Sequence, residues 1–180
     1  MKPSNQLHMM VYASLMAALM AAGAFIAIPI GPVPIVLQNF FVLLSGLLLG
    51  SRWGLASVGV YLLAGACGLP VFAGGTGGLG RLFGPTGGYL MGYLPAVFIV
   101  GRVAARAKKN AGFDVAAAVC GTVIVYLLGV PWLKLVTGMG WAKAFTVGMF
   151  PFLPGDALKL AALVPVVRVL RPVIEKKLTE

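Results

Sequence analysis

Asp156 and Lys159 stand three residues apart near the start of a largely apolar stretch, Pro154–Leu170. On a helix, positions i and i+3 project side by side, and an acid in the first turn sits where the helix dipole favours negative charge. Together they offer a ligand a carboxylate that accepts N–H groups and an ammonium that meets an anion. Placing a charge towards a membrane interior costs at least ~2.5–3.5 kcal/mol, so such residues face a bundle interior or a cavity. A structural ion pair, or a lysine snorkelling to the surface, is the plainer alternative. The pair's place beside two long loops favours the ligand site.

The first of those loops, Pro70–Pro85, holds six glycines and one charge. Its Gly75-Thr76-Gly77-Gly78-Leu79-Gly80 is a literal G-x-G-x-x-G, but no βαβ context surrounds it, so a dinucleotide reading fails. Glycines such as Gly74 and Gly75 let backbone N–H and C=O groups approach a ligand closely. Arg81, Thr86 and Tyr89 follow and add polar contacts. A flexible hairpin without a ligand is the alternative. Gln38, among apolar neighbours and next to Asn39, serves equally as a ligand contact or as a hydrogen bond between helices.

Two ridges of small residues run along the first apolar segment, Ala13-Ala17-Ala21 and Ser14-Ala18-Ala22. Small ridges let helices approach closely in lipid, either within this bundle or against another membrane protein. Cys67 and Cys120 are far apart and match no metal spacing, so two buried small hydrophobes are expected. His8 is the only histidine, and no metal site or cofactor is expected. No G-x-x-x-x-G-K-[ST], H-E-x-x-H or G-x-S-x-G occurs, so the chain has no ATPase of its own and does not read as an enzyme. Asp114 and Glu175 read as solvated charges.

The elements that must hold these residues follow from composition. Of 180 residues, 60% are hydrophobic and 10% charged, against roughly 25% charged in soluble domains. Lipid is the solvent that fits, and the net charge of +10 speaks for topology rather than nucleic acid. No charged residue lies between Lys2 and Arg52. Lys2, the apolar run from Met9 and Ala22-Gly23-Ala24 imitate a cleavable signal, but the run continues to Ile28, so an uncleaved first helix is expected.

Pro29, Gly31, Pro32 and Pro34 divide the first apolar stretch, since proline cannot continue a helix. The pattern predicts one integral membrane domain over residues 1–180, an all-α bundle of six transmembrane helices with an outward-facing pocket capped by loops. The helices are expected at 9–28, 35–50, 53–69, 86–105, 114–130 and 154–170. Pro131–Leu153, with Trp132, Lys134, Trp141 and Lys143, reads as an interfacial connection. With both termini inside, the cytoplasmic side holds Lys2, Arg52, Arg102, Arg106, Lys108, Lys109, Arg168, Arg171, Lys176 and Lys177. The outer side holds only Arg81, Lys134 and Lys143. This is the positive-inside bias of a protein of the bacterial inner membrane.

Three stretches carry a family resemblance: VPIVLQNFFVLLSGLLLG, GLPVFAGGTGGLGRLFGPTGGYLMGY and PFLPGDALK. They resemble the BioY family, the biotin-specific substrate-binding (S) components of energy-coupling factor (ECF) transporters. The resemblance implies a loop-capped, outward-facing biotin pocket on six helices, with Asp156 and Lys159 among the ligand contacts. Asp156 would accept the ureido N–H groups, and Lys159 would either steady Asp156 or meet an anionic group. It further implies a transmembrane coupling (T) protein that docks on Ala13, Ala17 and Ala21, and two cytoplasmic ATPases. A self-sufficient secondary carrier for biotin or a similar vitamin is the alternative. It predicts ionisable residues on a path to both faces.

Overall fold

The computed structural model describes residues 3–28, 32–106 and 110–179. Lys2, Pro29, Gly31, Lys108 and Lys109, which entered the reading above, lie outside them. The first helix, α1 (Pro3–Phe25), is followed by two short strands, β1 (Ala27–Ile28) and β2 (Ile35–Val36). These pair antiparallel, Ala27 opposite Val36 and Ile28 opposite Ile35. Residues 26–28 and 35–37 were expected to be helical. Proline biases the residue before it towards extended structure, and Pro32 and Pro34 with β-branched neighbours favour a strand instead.

Helix α2 (Gln38–Ala66) is one run only in name, because Gly50 has φ 75 and ψ −177. That region of backbone space is open essentially to glycine alone. The chain reverses there: a Cβ on Gly54 would lie 3.3 Å from the Cα of Gly46, which residues eight apart on a straight helix cannot do at 1.5 Å rise per residue. The legs 38–49 and 51–66 therefore lie against each other. Gly50→Ala is expected to destabilise the bundle by about 1–3 kcal/mol, read as a lower melting temperature in detergent.

After α3 (Leu79–Phe83) come α4 (Gly87–Arg106), α5 (Ala111–Thr137), α6 (Trp141–Gly148), a 3₁₀ turn (Phe150–Phe152) and α7 (Leu153–Thr179). Among the described residues, four helical stretches, Asn5–Phe25, Gln38–Ala66, Gly87–Arg106 and Ala111–Thr137, are long and apolar enough to cross a membrane. The chain is a mainly helical, multi-pass membrane protein. Its core holds the fully buried Met20, Val42, Val58, Tyr61, Val97 and Val100. The helices approach through glycine: a side chain on Gly101 would run into the backbone of Gly50 and Ser51, and one on Gly46 would lie 2.9 Å from Val100.

Helix α5 does not stop before Pro131 but continues through it to Thr137. Membrane helices tolerate proline where neighbours re-satisfy the freed groups. The true stop is Gly138, left-handed at φ 70, whose N–H bonds the Lys134 carbonyl at 2.9 Å. Helix α7 likewise runs past Pro165 and Pro172 to Thr179 rather than ending near residue 170. Within the Pro131–Leu153 connection, only α6 and the turn after it lie between the two long helices.

Two further expectations change. Cys67 and Cys120 are exposed on the bundle surface rather than buried. Asp114 is not a solvated charge but 2% exposed, and it is gripped by Arg171. The guanidinium donates to both carboxylate oxygens, Nη1 to Oδ2 at 3.0 Å and Nη2 to Oδ1 at 2.8 Å. Nη2 also donates to the Leu47 carbonyl at 3.3 Å. One fork thus ties α5 and α7 to the first leg of α2, close to its reversal.

Candidate ligand-binding site

At the other end of α7, near its start, the starts of α2 and α4, the middle of α5, Val33 and Pro34 before β2, and the 72–76 turn surround a cavity of about 860 Å³, its open mouth included. Most of its wall is apolar or aromatic, with Val33, Val42, Leu43, Phe72, Leu90 and Val125 prominent. A buried polar cluster around Asp156 interrupts it. Asp156, 5% exposed, accepts at Oδ1 from Asn39 Nδ2 at 3.0 Å and from Lys159 Nζ at 3.1 Å. Its Oδ2 accepts a short hydrogen bond from the Tyr126 hydroxyl.

Lys159 Nζ donates also to the Val36 carbonyl at 2.7 Å and to Asn39 Oδ1 at 3.0 Å. The strand β2 thus supplies an acceptor to the ammonium, and Asn39 bridges both charges through its two amide atoms. An ionised carboxylate offers about four lone-pair sites, of which these bonds take three. One site on Oδ2 is left for a ligand donor. Beside the cluster, Gln38 is 2% exposed and borders the cavity, and its Nε2 has no hydrogen-bond partner.

Of the other residues singled out in the sequence, Arg81, Thr86 and Tyr89 border the same cavity. Arg81 is solvent-exposed. Thr86 Oγ1 donates to the Arg81 carbonyl at 3.4 Å. Tyr89 is 7% exposed and its hydroxyl donates to the Gly148 carbonyl at 2.7 Å, so its one donor is already committed. Its ring lies against Gly129, where any side chain would strike it. Tyr89 thereby fastens α6 to α4 and α5.

Gly74 and Gly75 are not part of the cavity wall. Their φ values of 71 and 70 make the turn between Phe72 and Thr76, and Gly74 N donates to the Ala24 carbonyl at 3.4 Å. Left-handed backbone selects glycine here for the turn, and the flanking Phe72, Ala73 and Thr76 border the cavity instead. The small ridges also exchange roles. Ala13 and Ala17 are buried at 4% and 7% and Ala21 is half-buried, while Ser14, Ala18 and Ala22 are exposed. The ridge expected to dock a partner is inside the bundle, and the other faces out.

Asn39 and Tyr126 were missed as site residues. Asn39 is flagged only by standing next to Gln38, and Tyr126 only as a phenol on an apolar helix.

Residues 1–176 match the sequence profile of the BioY family. The chain belongs to the BioY family. A biotin transporter BioY of Thermotoga maritima is 44% identical over 157 residues, covering 86% of this chain and 92% of its own. A probable biotin transporter BioY of Pyrococcus horikoshii is 40% identical, covering 84% and 88%. Among solved structures, the S-component for biotin from an ECF-type ABC transporter superposes with a TM-score of 0.89 at 32% identity, covering 96% of this BioY chain and 95% of that one.

Proposed function

We propose that this BioY protein is the biotin-binding S component of an ECF-type vitamin uptake transporter. The observation that carries the reading is the buried Asn39–Asp156–Lys159–Tyr126 cluster in a largely apolar cavity, in a chain of this family. Biotin has a compact ureido ring, a thiophane and an aliphatic tail ending in a carboxylate. The free site on Asp156 Oδ2 suits a ureido N–H, and the unpartnered Gln38 amide suits the ureido carbonyl. Phe72, Tyr89 and Phe152 suit the apolar remainder. Thr86 adds a polar contact at the rim, and Gly74 and Gly75 act indirectly by shaping the turn above the site.

The legs of α2 count as separate crossings in this reading, which with α1, α4, α5 and α7 gives six spans in the inner membrane. The cation distribution supports cytoplasmic termini and an outward-facing pocket. The chain carries no ATPase signature and acts as a non-enzymatic subunit, with a T protein and two cytoplasmic ATPases as partners. The exposed Ser14-Ala18-Ala22 ridge, rather than Ala13-Ala17-Ala21, is then the surface open to the T protein.

The buried Asp114–Arg171 pair favours one other reading, a self-sufficient secondary carrier, because it places charge near both ends of the bundle. Arginine does not release its proton in proteins, however, and both carboxylate oxygens are occupied, so the pair suits a fastening better than a relay. Uptake into liposomes decides between them. The purified chain is expected to bind biotin but to accumulate it only when the T protein and ATPases are present with ATP. Gradient-driven uptake by the chain alone would favour the carrier.

A further inference from the structure

Biotin's two ends differ in charge, and the cavity's cations differ in what they have left to give. An ammonium carries three donors and no acceptor. In Lys159 all three are taken, by Val36 O at 2.7 Å, Asn39 Oδ1 at 3.0 Å and Asp156 Oδ1 at 3.1 Å. Its positive charge is also balanced at contact distance by Asp156. A ligand carboxylate brought to this wall would have to displace one of these bonds and would face the Asp156 charge as well.

Arg81 is the other cation bordering the cavity among the described residues. It sits on α3 and is solvent-exposed. The buried carboxylates Asp114 and Asp156 are committed to Arg171 and Lys159. The backbone around Arg81 is held while its side chain is not. Gly78 N donates to the Gly65 carbonyl at 2.7 Å, Trp132 Nε1 donates to the Gly84 carbonyl at 2.9 Å, and the Arg81 carbonyl accepts from Thr86. A guanidinium with five donors in a planar fork matches a carboxylate bidentately.

Resting on the biotin reading, we propose a division of labour between these cations. Arg81 recognises the carboxylate of the ligand's tail, and Lys159 is a positioning residue that orients Asp156 and Asn39 towards the head group. The discrimination between an anionic and a neutral tail belongs to α3 rather than to the Asp156–Lys159 wall.

Calorimetric titration of the purified chain with biotin and with biotinamide, whose tail is neutral, tests this at low and high salt. Wild type is expected to prefer biotin by about tenfold at low salt and less at high salt, as for an exposed charge-assisted contact. Arg81→Gln is expected to lose that preference and its salt dependence while binding biotinamide as wild type does. Lys159→Met is expected to weaken both ligands in parallel, leaving their ratio intact. The inference is overturned if wild type does not distinguish the ligands, if Arg81→Gln keeps the preference, or if Lys159→Met abolishes it. Wild type that binds neither ligand overturns the biotin reading itself. Because Arg81 is exposed, its variant is expected to melt as wild type does, and the Arg81 arm decides the matter even where Lys159→Met does not fold.

Discussion

Asp156→Asn is expected to weaken biotin binding by about 10- to 100-fold, from the roughly 1.5–3 kcal/mol that a charged acceptor adds to a hydrogen bond. The side chain keeps its shape, so the cavity persists, but one oxygen becomes an amide that donates where the carboxylate accepted. Three protein donors converge on this carboxylate, from Asn39, Lys159 and Tyr126. The amide cannot satisfy all of them and a ureido N–H besides. The substitution also leaves the Lys159 ammonium, 14% exposed, without its counter-ion. Lost stability and lost affinity therefore need separating. In the double variant Asp156→Asn/Lys159→Met, the unpaired charge is gone and the melting temperature should recover towards wild type, whereas affinity should not. An affinity for biotin that survives in Asp156→Asn would mean that the carboxylate serves the fold alone.

Asp114→Ala should produce the largest loss of stability of any single substitution named here, about 3–5 kcal/mol, the usual penalty for stripping a buried charge of its partner. Arg171 would be left with Nη1 and Nη2 stripped of their carboxylate and only the Leu47 carbonyl as acceptor. Removing both charges, in Asp114→Ala/Arg171→Met, should restore much of the loss, since a buried pair replaced by apolar groups is often close to neutral. Thermal melts of the two variants in detergent make the comparison. Biotin affinity of the folded fraction should stay near that of wild type, because Arg171 lies about 18 Å further along α7 than Lys159 at 1.5 Å per residue. A double variant no more stable than Asp114→Ala would show that the fork is not what holds this end together.

The two pairs show what kind of information a sequence exposes. Asp156 and Lys159 are neighbours on one helix, so their association is visible in a spacing of three. Asp114 and Arg171 are 57 residues apart, and nothing local distinguishes a gripped aspartate from a solvated one at a helix start. Asn39 reaches Asp156 across 117 residues, while the adjacent Gln38 carries the same chemistry and borders the cavity with its Nε2 unpartnered. Pro32, Pro34, Pro70 and Pro85 act locally, and all four lie between helices. Pro131 misled because its cost depends on whether neighbours satisfy the freed carbonyl. The alanine ridges are indistinguishable as strings, and only the rotation of α1 within the bundle decides which one faces out. Gly74 and Gly75 follow the same logic: glycine reports backbone freedom, and whether that freedom serves a ligand or a turn is set by the fold.

The reversal at Gly50 has a consequence for selectivity. From there the first leg of α2 climbs 12 residues to reach Gln38, about 18 Å at 1.5 Å per residue, against a hydrocarbon layer of roughly 30 Å. In the orientation proposed above, Gln38 and Asn39 therefore end well below the outer boundary of the bilayer, at a depth where bulk water is scarce and the dielectric low. A ligand that reaches them exchanges all of its head-group hydration for protein partners. An analogue that lacks one ureido N–H or carries a methyl there leaves a buried acceptor unmatched, which costs about 1–3 kcal/mol. On the proposed reading, the shortness of one helical leg turns a modest set of hydrogen bonds into a stringent filter.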